Sequence, residues 1–420
     1  MNNSKTKFPV AEKNPFALSQ ASMSKIVIIG GGIVGLGTAL KLSEQSPGSR
    51  IVVLEKEPNV GMHQSTHNSG VLHCGLYYQP GSIKARLAVD GIREMTRFAR
   101  ENGIRHEICG KIVLAVEDSE VERLRNLHER GKQNGLQGLR WLSREEIRER
   151  EPEAAGVGAL LVPEEGIIDF RGVIDCFAKL LLAKGHEIRT GVRVNGLLTK
   201  ASGQVVLTTH GEIEADYIVN CAGLYSDRVF EFTGEKPECK IVPFRGEYFR
   251  LKPSSCHLVR HLIYPVPNPK LPFLGVHFTR MIHGGAEAGP SAVLAMRREG
   301  YRKTDFSLGD AWESITYPGL ARFMLRFPGA TFHELMNSCS SKSFLSNLQR
   351  LVPSIQAGDI EPGEAGVRAQ AMNRRGELLM DFSFEERPGQ LHVLNAPSPG
   401  ATASLAIGAH VAAKVVERLA

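Results

Sequence analysis

The clearest hydrophobic pattern near the start of the chain is an apolar run at Lys25–Ile29. A glycine-rich turn over 30–35 follows it at once, and residues 36–45 then have helical spacing. A second apolar run, Arg50–Leu54, ends at Glu55. Short continuous apolar runs are typical of strands in a parallel sheet that is covered on both faces. The pattern therefore predicts strand, turn, helix and strand in a doubly wound α/β sheet.

Similar patterns recur much later in the chain. A helix is predicted over 172–184, and a buried strand over 215–223 ends in a small-residue turn. Another strand, 391–395, leads through a loop to a last helix that opens at 401–404. Alternating rows at 111–116 and 272–279 predict two further strands. Helical spacing is also present at three further places, 310–316, 320–327 and a run ending at 352–353.

The glycine turn has the spacing of a dinucleotide-binding motif. Gly30 permits the tight turn, Gly32 lets the backbone approach a pyrophosphate, and Gly35 lets the helix pack close to the strand. The N-terminus of that helix then faces the phosphate charge. Glu55 follows about 20 residues after the last glycine, where a carboxylate accepts ribose hydroxyls. The strand, helix and acid around the motif predict an adenine dinucleotide site.

Two distant segments favour FAD over a nicotinamide dinucleotide. The strand at 215–223 ends in Ala222 and Gly223, as at a sheet edge that meets a ligand. The turn Pro399, Gly400, Ala401 and Thr402 precedes the last helix, whose N-terminal amides would face the electron-rich pyrimidine side of a flavin. The predicted fold class is α/β, with a Rossmann-type FAD-binding domain.

Composition sets the limits of this interpretation. A chain of 420 residues favours two domains, and a net charge of +6 suits an anionic substrate but is too small and dispersed for nucleic-acid binding. No apolar run is long enough to span a membrane. Seven cysteines without a CxxC motif argue against a metal site or a disulfide framework and favour a reducing, cytoplasmic location. Residues 1–22 lack the features of a targeting signal and are interpreted as a disordered leader.

Several segments resemble those of one family, the glycine oxidase and D-amino acid oxidase type of FAD-dependent oxidoreductases, and within it the L-2-hydroxyglutarate dehydrogenases (oxidases). The segments are THNSGVLH at 66–73, GLYY at 75–78, LPFLGVHFT at 271–279, EAGPSAVLA at 287–295, REGY at 298–301 and NAPSPGAT at 395–402. They extend from about Lys25 to the end of the chain.

The resemblance implies two domains whose segments interleave. The FAD-binding domain would comprise 23–85, 165–235 and 360–420, and an α+β antiparallel-sheet substrate domain would comprise 86–164 and 236–359. It also implies oxidation of L-2-hydroxyglutarate to 2-oxoglutarate with hydride transfer to flavin N5. Cys74 is the one tempting covalent attachment point, but the resemblance favours non-covalent FAD.

Oxidation of a 2-hydroxy acid requires a base beside the hydroxyl group, and a histidine has a suitable pKa. By family position we expect His277 to be this base, with His67 as the second choice. The resemblance places His67, Asn68, Ser69 and Gly70 beneath the flavin ring, where they would contact the cofactor. His63, His73 and His261 are interpreted as structural.

A dicarboxylate substrate also needs two binding groups, and an arginine matches a carboxylate with two hydrogen bonds. By resemblance, Arg368 in Gly-Val-Arg holds the substrate carboxylate. Arg280 is the candidate for the distal carboxylate, with a hydroxyl donated by Tyr264 or Tyr248. Arg245 stays open.

Three functions remain open at this stage: the L-2-hydroxyglutarate enzyme, an amino acid or sarcosine-type FAD oxidase, and a non-catalytic FAD-binding electron-transfer subunit. The electron acceptor, a quinone or oxygen, and the oligomeric state are also open. Leu320, Phe323, Met324 and Phe327 form an apolar stripe flanked by Arg322 and Arg326. We interpret this stripe as core packing, with peripheral attachment to the inner face of a membrane as the alternative.

Overall fold

The computed structural model describes residues 23–268, 274–327 and 341–419. The predicted leader at 1–22 lies outside the described residues. So do the first two residues of the strand predicted at 272–279 and part of the helical run that ends at 352–353.

A six-stranded sheet contains the predicted dinucleotide motif. Its central strand β1 (Lys25–Ile29) lies between β2 (Arg50–Leu54) and β13 (Tyr217–Asn220), and Val27 pairs with Val52 on one side and Ile218 on the other. The neighbouring strands are parallel except at the edge formed by β20. The outer strands are β9 (Glu187–Arg189), β21 (Gln390–Asn395) and β20 (Ser383–Arg387). The predicted α/β class is confirmed.

Helices cover this sheet. They are α1 (Ile33–Gln45), α2 (Ile83–Glu101), α5 (Phe170–Ala183) and the last helix, α10 (Ser404–Leu419). At the crossing of α1 and α10, a Cβ atom on Gly408 would lie 2.6 Å from the carbonyl oxygen of Gly37. A Cβ on Gly37 would meet the carbonyl oxygen of Ser404 at 2.9 Å. Glycine at both positions therefore allows the two helix backbones to touch.

A second, mostly antiparallel sheet contains nine described strands. Its longest pair joins β14 (Cys239–Leu251) to β19 (Ile360–Asn373). The domain division from sequence assigned residues from 360 onward to the FAD domain, whereas β19 pairs within this second sheet. The other strands are β5 (Lys111–Ala115), β6 (Arg140–Leu142), β7 (Gly158–Val162), β15 (Leu262–Pro265), β16 (His277–Arg280), β17 (Ala286–Gly289) and β18 (Val293–Leu294).

Two further sheets have three strands each. One consists of β10 (Val194–Lys200), β11 (Gly203–Thr208) and β12 (Gly211–Ala215). The other consists of β3 (Val71–Leu72), β8 (Gly166–Ile168) and β4 (His106–Glu107). The second of these fixes the start of the segment 71–78 against residues from 106–107 and 166–168.

The remaining helices lie mainly around the second sheet. They are α3 (Asp118–Gln133), α4 (Arg144–Arg150), α6 (Ser226–Glu231), α7 (Leu308–Ile315), α8 (Pro318–Arg326) and α9 (Ser341–Gln349). In α8, Leu320 and Phe323 are buried against Val242 and Phe244, as the core-packing interpretation predicted. Met324 was assigned to the same buried stripe but is exposed, as is Leu325, so the core-packing interpretation is wrong for Met324.

Candidate active site

One cavity of about 850 Å³ extends from the carboxyl ends of β1 and β13 to the second sheet. Ile29 and Cys221 line it at the first end, and His277 and Arg368 line it at the other. Ligands of doubly wound sheets bind at the carboxyl ends of the strands. The cavity therefore joins the expected dinucleotide position to a chamber on the antiparallel sheet.

Gly30 has the close backbone approach that the dinucleotide motif requires. Its φ is +108°, and a Cβ atom there would lie 2.5 Å from the carbonyl oxygen of Cys221. Gly32 lines the cavity at the start of helix α1. Ser65 Oγ accepts a hydrogen bond from the Ile33 amide at 2.9 Å, so the amides that follow Ile33 in the first helical turn are the ones available to an anion.

Glu55 lies at the end of β2 and lines the same cavity. Its Oε2 accepts a hydrogen bond from the Gly31 amide at 2.8 Å, and its Oε1 accepts one from the Glu57 amide at 2.9 Å. A carboxylate has about four acceptor positions, so Glu55 retains capacity for ribose hydroxyls. The residues present fit the adenosine half of a dinucleotide.

Of the predicted cofactor residues within the described ranges, Gly35 and Gly70 do not line the cavity. A Cβ on Gly35 would lie 2.0 Å from the carbonyl oxygen of Gly30, so Gly35 allows helix α1 to approach the turn before it. Gly70 has a φ of +64° and shapes the turn before β3. Both residues position the site without lining it.

The segment before β3 lines the cavity through His67, Asn68 and Ser69. Asn68 is engaged within its own turn, because its Nδ2 donates to the carbonyl of Ser65 and its Oδ1 accepts from the Gly70 amide. The His67 ring stacks on Tyr301 with centroids 4.1 Å apart. The segment is therefore held rigidly along the cavity wall.

The other predicted cofactor residues, Ala222, Gly223, Pro399, Gly400, Ala401 and Thr402, all line the cavity. Thr402 Oγ1 accepts a hydrogen bond from the His73 amide and donates one to the Val71 carbonyl, both at 3.2 Å. This contact fixes the turn before α10 to the strand β3. The last helix itself begins at Ser404.

His277 is buried in the chamber at the start of β16. Its Nδ1 lies 2.9 Å from the carbonyl oxygen of Gly275, which can only accept a hydrogen bond. In the neutral ring Nδ1 therefore carries the proton, and Nε2 has the free lone pair. Burial lowers the pKa of His277 to about 3, and the positive charge of Arg368 acts in the same direction. The ring is neutral at physiological pH.

Tyr264 and Tyr248 flank this histidine. The Tyr264 ring stacks on His277 with centroids 3.9 Å apart. Tyr248 lies beside Arg368, whose positive charge opposes the burial that raises the pKa of this tyrosine. His277, Tyr264, Tyr248 and Arg368 all line the cavity. The fold therefore brings these four predicted side chains together along one cavity.

Arg280 requires a correction. It was expected to bind the distal carboxylate, but both of its terminal nitrogens donate to the Glu107 carboxylate, at 2.8 and 2.7 Å. Within the described residues it does not line the cavity. The error arose because Arg280 is three residues after His277 in β16, so the two side chains project from opposite faces of the strand. Arg245 is likewise engaged, with Glu247.

Sequence reasoning missed a buried charged group behind the chamber. Lys111 and Glu165 are fully buried, and Lys111 Nζ lies 2.7 Å from Glu165 Oε2. His73 Nδ1 lies 3.5 Å from the same oxygen, and the Cys74 amide and thiol donate to the other oxygen. Burial alone would raise the pKa of Glu165, but Lys111 and His73 hold it well below its usual range.

His73 was interpreted as structural and Tyr77 was quoted only as part of a family segment, yet both line the cavity. The signal for the charged group was a lysine inside the apolar row 111–116, since a lysine in a buried strand requires a partner. The partner, Glu165, lies in a turn before β8 that no pattern marked.

A dinucleotide cradle joined to a chamber with a histidine, an arginine and tyrosines defines a redox enzyme. The sequence profile described as "FAD dependent oxidoreductase" matches residues 25–414. The chain belongs to this family of FAD-dependent oxidoreductases, and FAD is its cofactor.

Three relatives are named L-2-hydroxyglutarate dehydrogenase, and the name of the human protein adds the word "mitochondrial". The chain is 45% identical to the Indibacter alkaliphilus protein, with 94% of this chain and 99% of that protein covered. It is 45% identical to the Escherichia coli K12 protein, with 95% and 94% covered. It is 43% identical to the human protein, with 95% and 90% covered.

Two solved structures share the fold. L-α-glycerophosphate oxidase from Mycoplasma pneumoniae with FAD bound has a TM-score of 0.76 at 21% identity, with 95% of each chain covered. Glycine oxidase from Geobacillus kaustophilus has a TM-score of 0.70 at 20% identity, with 94% of this chain and 95% of that chain covered. None of the described helices is both long and apolar enough to cross a membrane.

Proposed function

We propose that this chain oxidises L-2-hydroxyglutarate to 2-oxoglutarate. The observation that carries the proposal is the 43 to 45% identity, over at least nine-tenths of the chain, to proteins of that name. The chamber supports it, because a dicarboxylate hydroxy acid needs a proton acceptor and cationic or hydroxyl donors, and the cavity supplies both. An amino acid or sarcosine-type oxidase would have no need of the histidine base.

Bound FAD supplies an electron acceptor for the hydride that leaves the substrate carbon. We propose that Gly30, Gly32 and the first turn of α1 hold its pyrophosphate and that Glu55 holds the ribose. The wall at 67–69 and the turn at 399–402 would hold the flavin. The thiol of Cys74 is buried, its pKa is raised well above the usual value by burial, and it donates to Glu165. An inert thiol supports non-covalent FAD.

In this proposal His277 Nε2 accepts the hydroxyl proton while the substrate carbon loses its hydride. The Gly275 carbonyl fixes the tautomer and the Tyr264 ring fixes the plane of the imidazole. Arg368 would bind the carboxylate next to the reacting carbon, where it also stabilises negative charge that develops on the hydroxyl oxygen. Binding of a dianion would offset the positive charge of Arg368 at His277 and make the imidazole a stronger base.

The test is anaerobic bleaching of the flavin. The purified holoenzyme should lose its oxidised flavin absorbance with L-2-hydroxyglutarate and retain it with the D-isomer, glutamate and sarcosine. Bleaching by glutamate or sarcosine instead would support the amino acid or sarcosine-type alternative. Absence of bleaching with all four compounds would favour a non-catalytic FAD-binding subunit.

We further propose that the enzyme docks on an anionic membrane surface and passes electrons to a quinone there. Six large apolar side chains on and beside α7 and α8 are exposed, Trp312 by 69% and Leu325 by 80%; the others are Phe306, Leu308, Ile315 and Met324. Leu308, Trp312 and Ile315 share one face of α7, because they are four and three residues apart. Tryptophan and basic side chains together favour a lipid interface.

Co-sedimentation with anionic lipid vesicles tests this docking surface. The wild type should pellet with the vesicles. Two double variants, Trp312→Ser with Leu308→Ser and charge reversal at both Arg322 and Arg326, should each stay in the supernatant. Leu182→Ser is the control, because Leu182 is also exposed but lies on α5. A wild type that stays in the supernatant would refute the membrane proposal and favour oxygen as the acceptor.

A further inference from the structure

A short segment between β18 and α7, residues 298–301, connects the second sheet with the dinucleotide cradle. Arg245 of β14 donates to the carbonyl of the next residue, Arg302, at 2.9 Å and so fixes the segment to the second sheet. On its other side Glu299 lines the cavity, as Glu55 does. The segment therefore forms part of the cavity wall, although it follows a strand of the other sheet along the chain.

Glu299 binds two basic side chains that follow β2. Its Oε2 lies 2.8 Å from Lys56 Nζ, and its Oε1 lies 3.0 Å from His63 Nε2. Glu57 contacts the same two groups. Lys56, His63 and Glu299 all line the cavity, and only 12% of the Glu299 side chain is exposed. These charges are partly shielded from solvent, so their attraction is screened less than that of a surface pair.

Tyr301 holds two histidines of the same wall. Its hydroxyl oxygen lies 3.0 Å from His63 Nδ1, and its ring stacks on that of His67 with centroids 4.1 Å apart. Both histidines line the cavity, and His67 belongs to the wall that we propose holds the flavin. One side chain of the segment thus fixes two residues of the cofactor site.

Arg298 extends these contacts to the other side of the cradle. Its guanidinium group binds Asp227 of α6, with Nη2 2.8 Å from Oδ2, and both side chains are buried. Helix α6 follows β13, whereas Lys56 and His63 follow β2. Because β2 and β13 lie on the two sides of β1, the segment spans the carboxyl ends of three adjacent strands. Ligands of doubly wound sheets bind at these ends.

We infer that Glu299 and Tyr301 form a clamp that closes the cofactor end of the cavity and retains FAD. Both are positioning residues, since they hold Lys56, His63 and His67 in the wall. Ion pairs and a ring stack between separate segments can part without unfolding of either sheet, so FAD leaves when these contacts open. The inference goes beyond the proposed reaction and does not depend on the substrate.

Release of FAD from the holoenzyme tests the clamp. After dilution of the holoenzyme, the rise in the fluorescence of free FAD gives the dissociation rate constant. Glu299→Gln keeps the shape of the side chain but removes its charge, so release should be about tenfold faster than in the wild type. Tyr301→Phe keeps the ring stack and loses one hydrogen bond, so release should be about threefold faster. Unchanged release in these variants would overturn the inference.

The direction of the change separates a clamp from a simple effect of charge. FAD has an anionic pyrophosphate, so if Glu299 acted only through its negative charge, its removal would reduce repulsion and slow release. Slower release from Glu299→Gln would therefore overturn the inference. If circular dichroism shows that Glu299→Gln does not fold, Tyr301→Phe decides alone, because it removes only one oxygen atom.

Glu94→Gln is the matched control. Glu94 lies 2.7 Å from Lys41, and the two side chains are exposed by only 21% and 16%. The pair joins α1 to α2, and neither side chain is among those that line the cavity. Release of FAD from this variant should match the wild type. Equal acceleration in Glu94→Gln and Glu299→Gln would indicate general loosening of the dinucleotide domain and would overturn the clamp.

The pH dependence of release gives a second readout. The charged or titratable side chains that face His63 are Lys56, Glu57, Glu299 and Tyr301. Burial lowers the pKa of His63, but its contacts with Glu299 and Glu57 outweigh burial and raise the pKa above its usual value, while Lys56 opposes them. A raised pKa stabilises the closed clamp below the unfolded value of about 6.5, and this stabilisation is lost as the pH rises through the folded value.

Release of FAD from the wild type should therefore accelerate as the pH rises from about 6.5 to about 8.5. His63→Gln has no imidazole to titrate, so its release should accelerate much less over the same range. The same pH profile in the wild type and in His63→Gln would overturn the place of His63 in the clamp.

Discussion

Replacing Lys111 by methionine removes the cation from a fully buried ion pair and keeps most of the side-chain volume. Glu165 stays ionised behind the chamber with its main counter-charge gone. Breaking a buried pair by removing one partner costs about 3–5 kcal/mol, because the remaining charge is uncompensated. Neither side chain is accessible to solvent, so little screening reduces this value. We expect the free energy of unfolding to fall by about that amount at pH near 8.

The loss should depend on pH. In the wild type the pKa of Glu165 is depressed, so the pair contributes stability above the unfolded pKa of about 4.3 and loses it as the pH falls below that value. In Lys111→Met, burial is left to raise the pKa of Glu165, and protonation then relieves the penalty at mildly acid pH. The difference in the free energy of unfolding between wild type and variant should therefore become smaller as the pH falls from about 8 to about 5.5.

Urea denaturation of the holoenzymes, followed by circular dichroism at both pH values, measures the gap. Adding Glu165→Gln to Lys111→Met removes the orphaned charge and should restore part of the loss. Lys132→Met is the control, because Lys132 pairs with Glu129 on the exposed surface of α3 and its loss should leave the urea midpoint unchanged. A penalty that is the same at both pH values, or no recovery in the double variant, would refute the reasoning.

Three further predictions concern the cavity. His277→Ala should slow flavin reduction by about 10²-fold with FAD retained. Burial lowers the pKa of His277 to about 3, so as the pH falls from about 6.5 towards 3 the unfolded wild type binds a proton that the buried imidazole does not. The free energy of unfolding of the variant should therefore fall less than that of the wild type over this pH range. Arg368→Lys keeps the charge but loses the two-pronged donor, so KM for L-2-hydroxyglutarate should rise about tenfold in steady-state assays, and an unchanged KM would remove Arg368 from the site. Gly30→Ala places a Cβ atom 2.5 Å from the carbonyl oxygen of Cys221 at a φ of +108°, so it should abolish FAD retention, measured as the flavin-to-protein absorbance ratio. Gly48→Ala is the control and should retain FAD, because a Cβ atom at Gly48 would have nothing within 4 Å.

The features that could be predicted from sequence are those with local causes. The turn between β1 and α1 depends on the positive φ of Gly30, which the glycine spacing at 30–35 predicts locally, although the carbonyl that Gly30 approaches belongs to the distant Cys221. Glu55 follows from strand length and spacing in the same way. For these elements the period of the hydrophobic pattern and the backbone freedom of glycine determine the structure.

Features formed by residues far apart in sequence could not be predicted in this way. Arg280 was assigned to the substrate, but its partner Glu107 lies 173 positions earlier, and no pattern links the two. The contact between Lys111 and Glu165 similarly joins the start of a strand to a turn. The pairing of β14 with β19 likewise joins segments more than a hundred residues apart. Such contacts form only when distant segments of the chain meet in the folded protein, and the hydrophobic periodicity of a single sequence does not indicate which segments meet.

The topology of the six-stranded sheet has a consequence for biosynthesis. Strands β1 and β2 leave the ribosome long before β21, the turn at 399–402 and helix α10 are made, although β1 and β21 belong to the same sheet. Until then the apolar face of α1 that packs at Gly408 has no partner. Domains generally fold as units during synthesis at about 5–20 residues per second. At that rate the nascent chain holds an unfinished sheet for tens of seconds, so we expect the complete dinucleotide site to form only after the turn at 399–402 has been made.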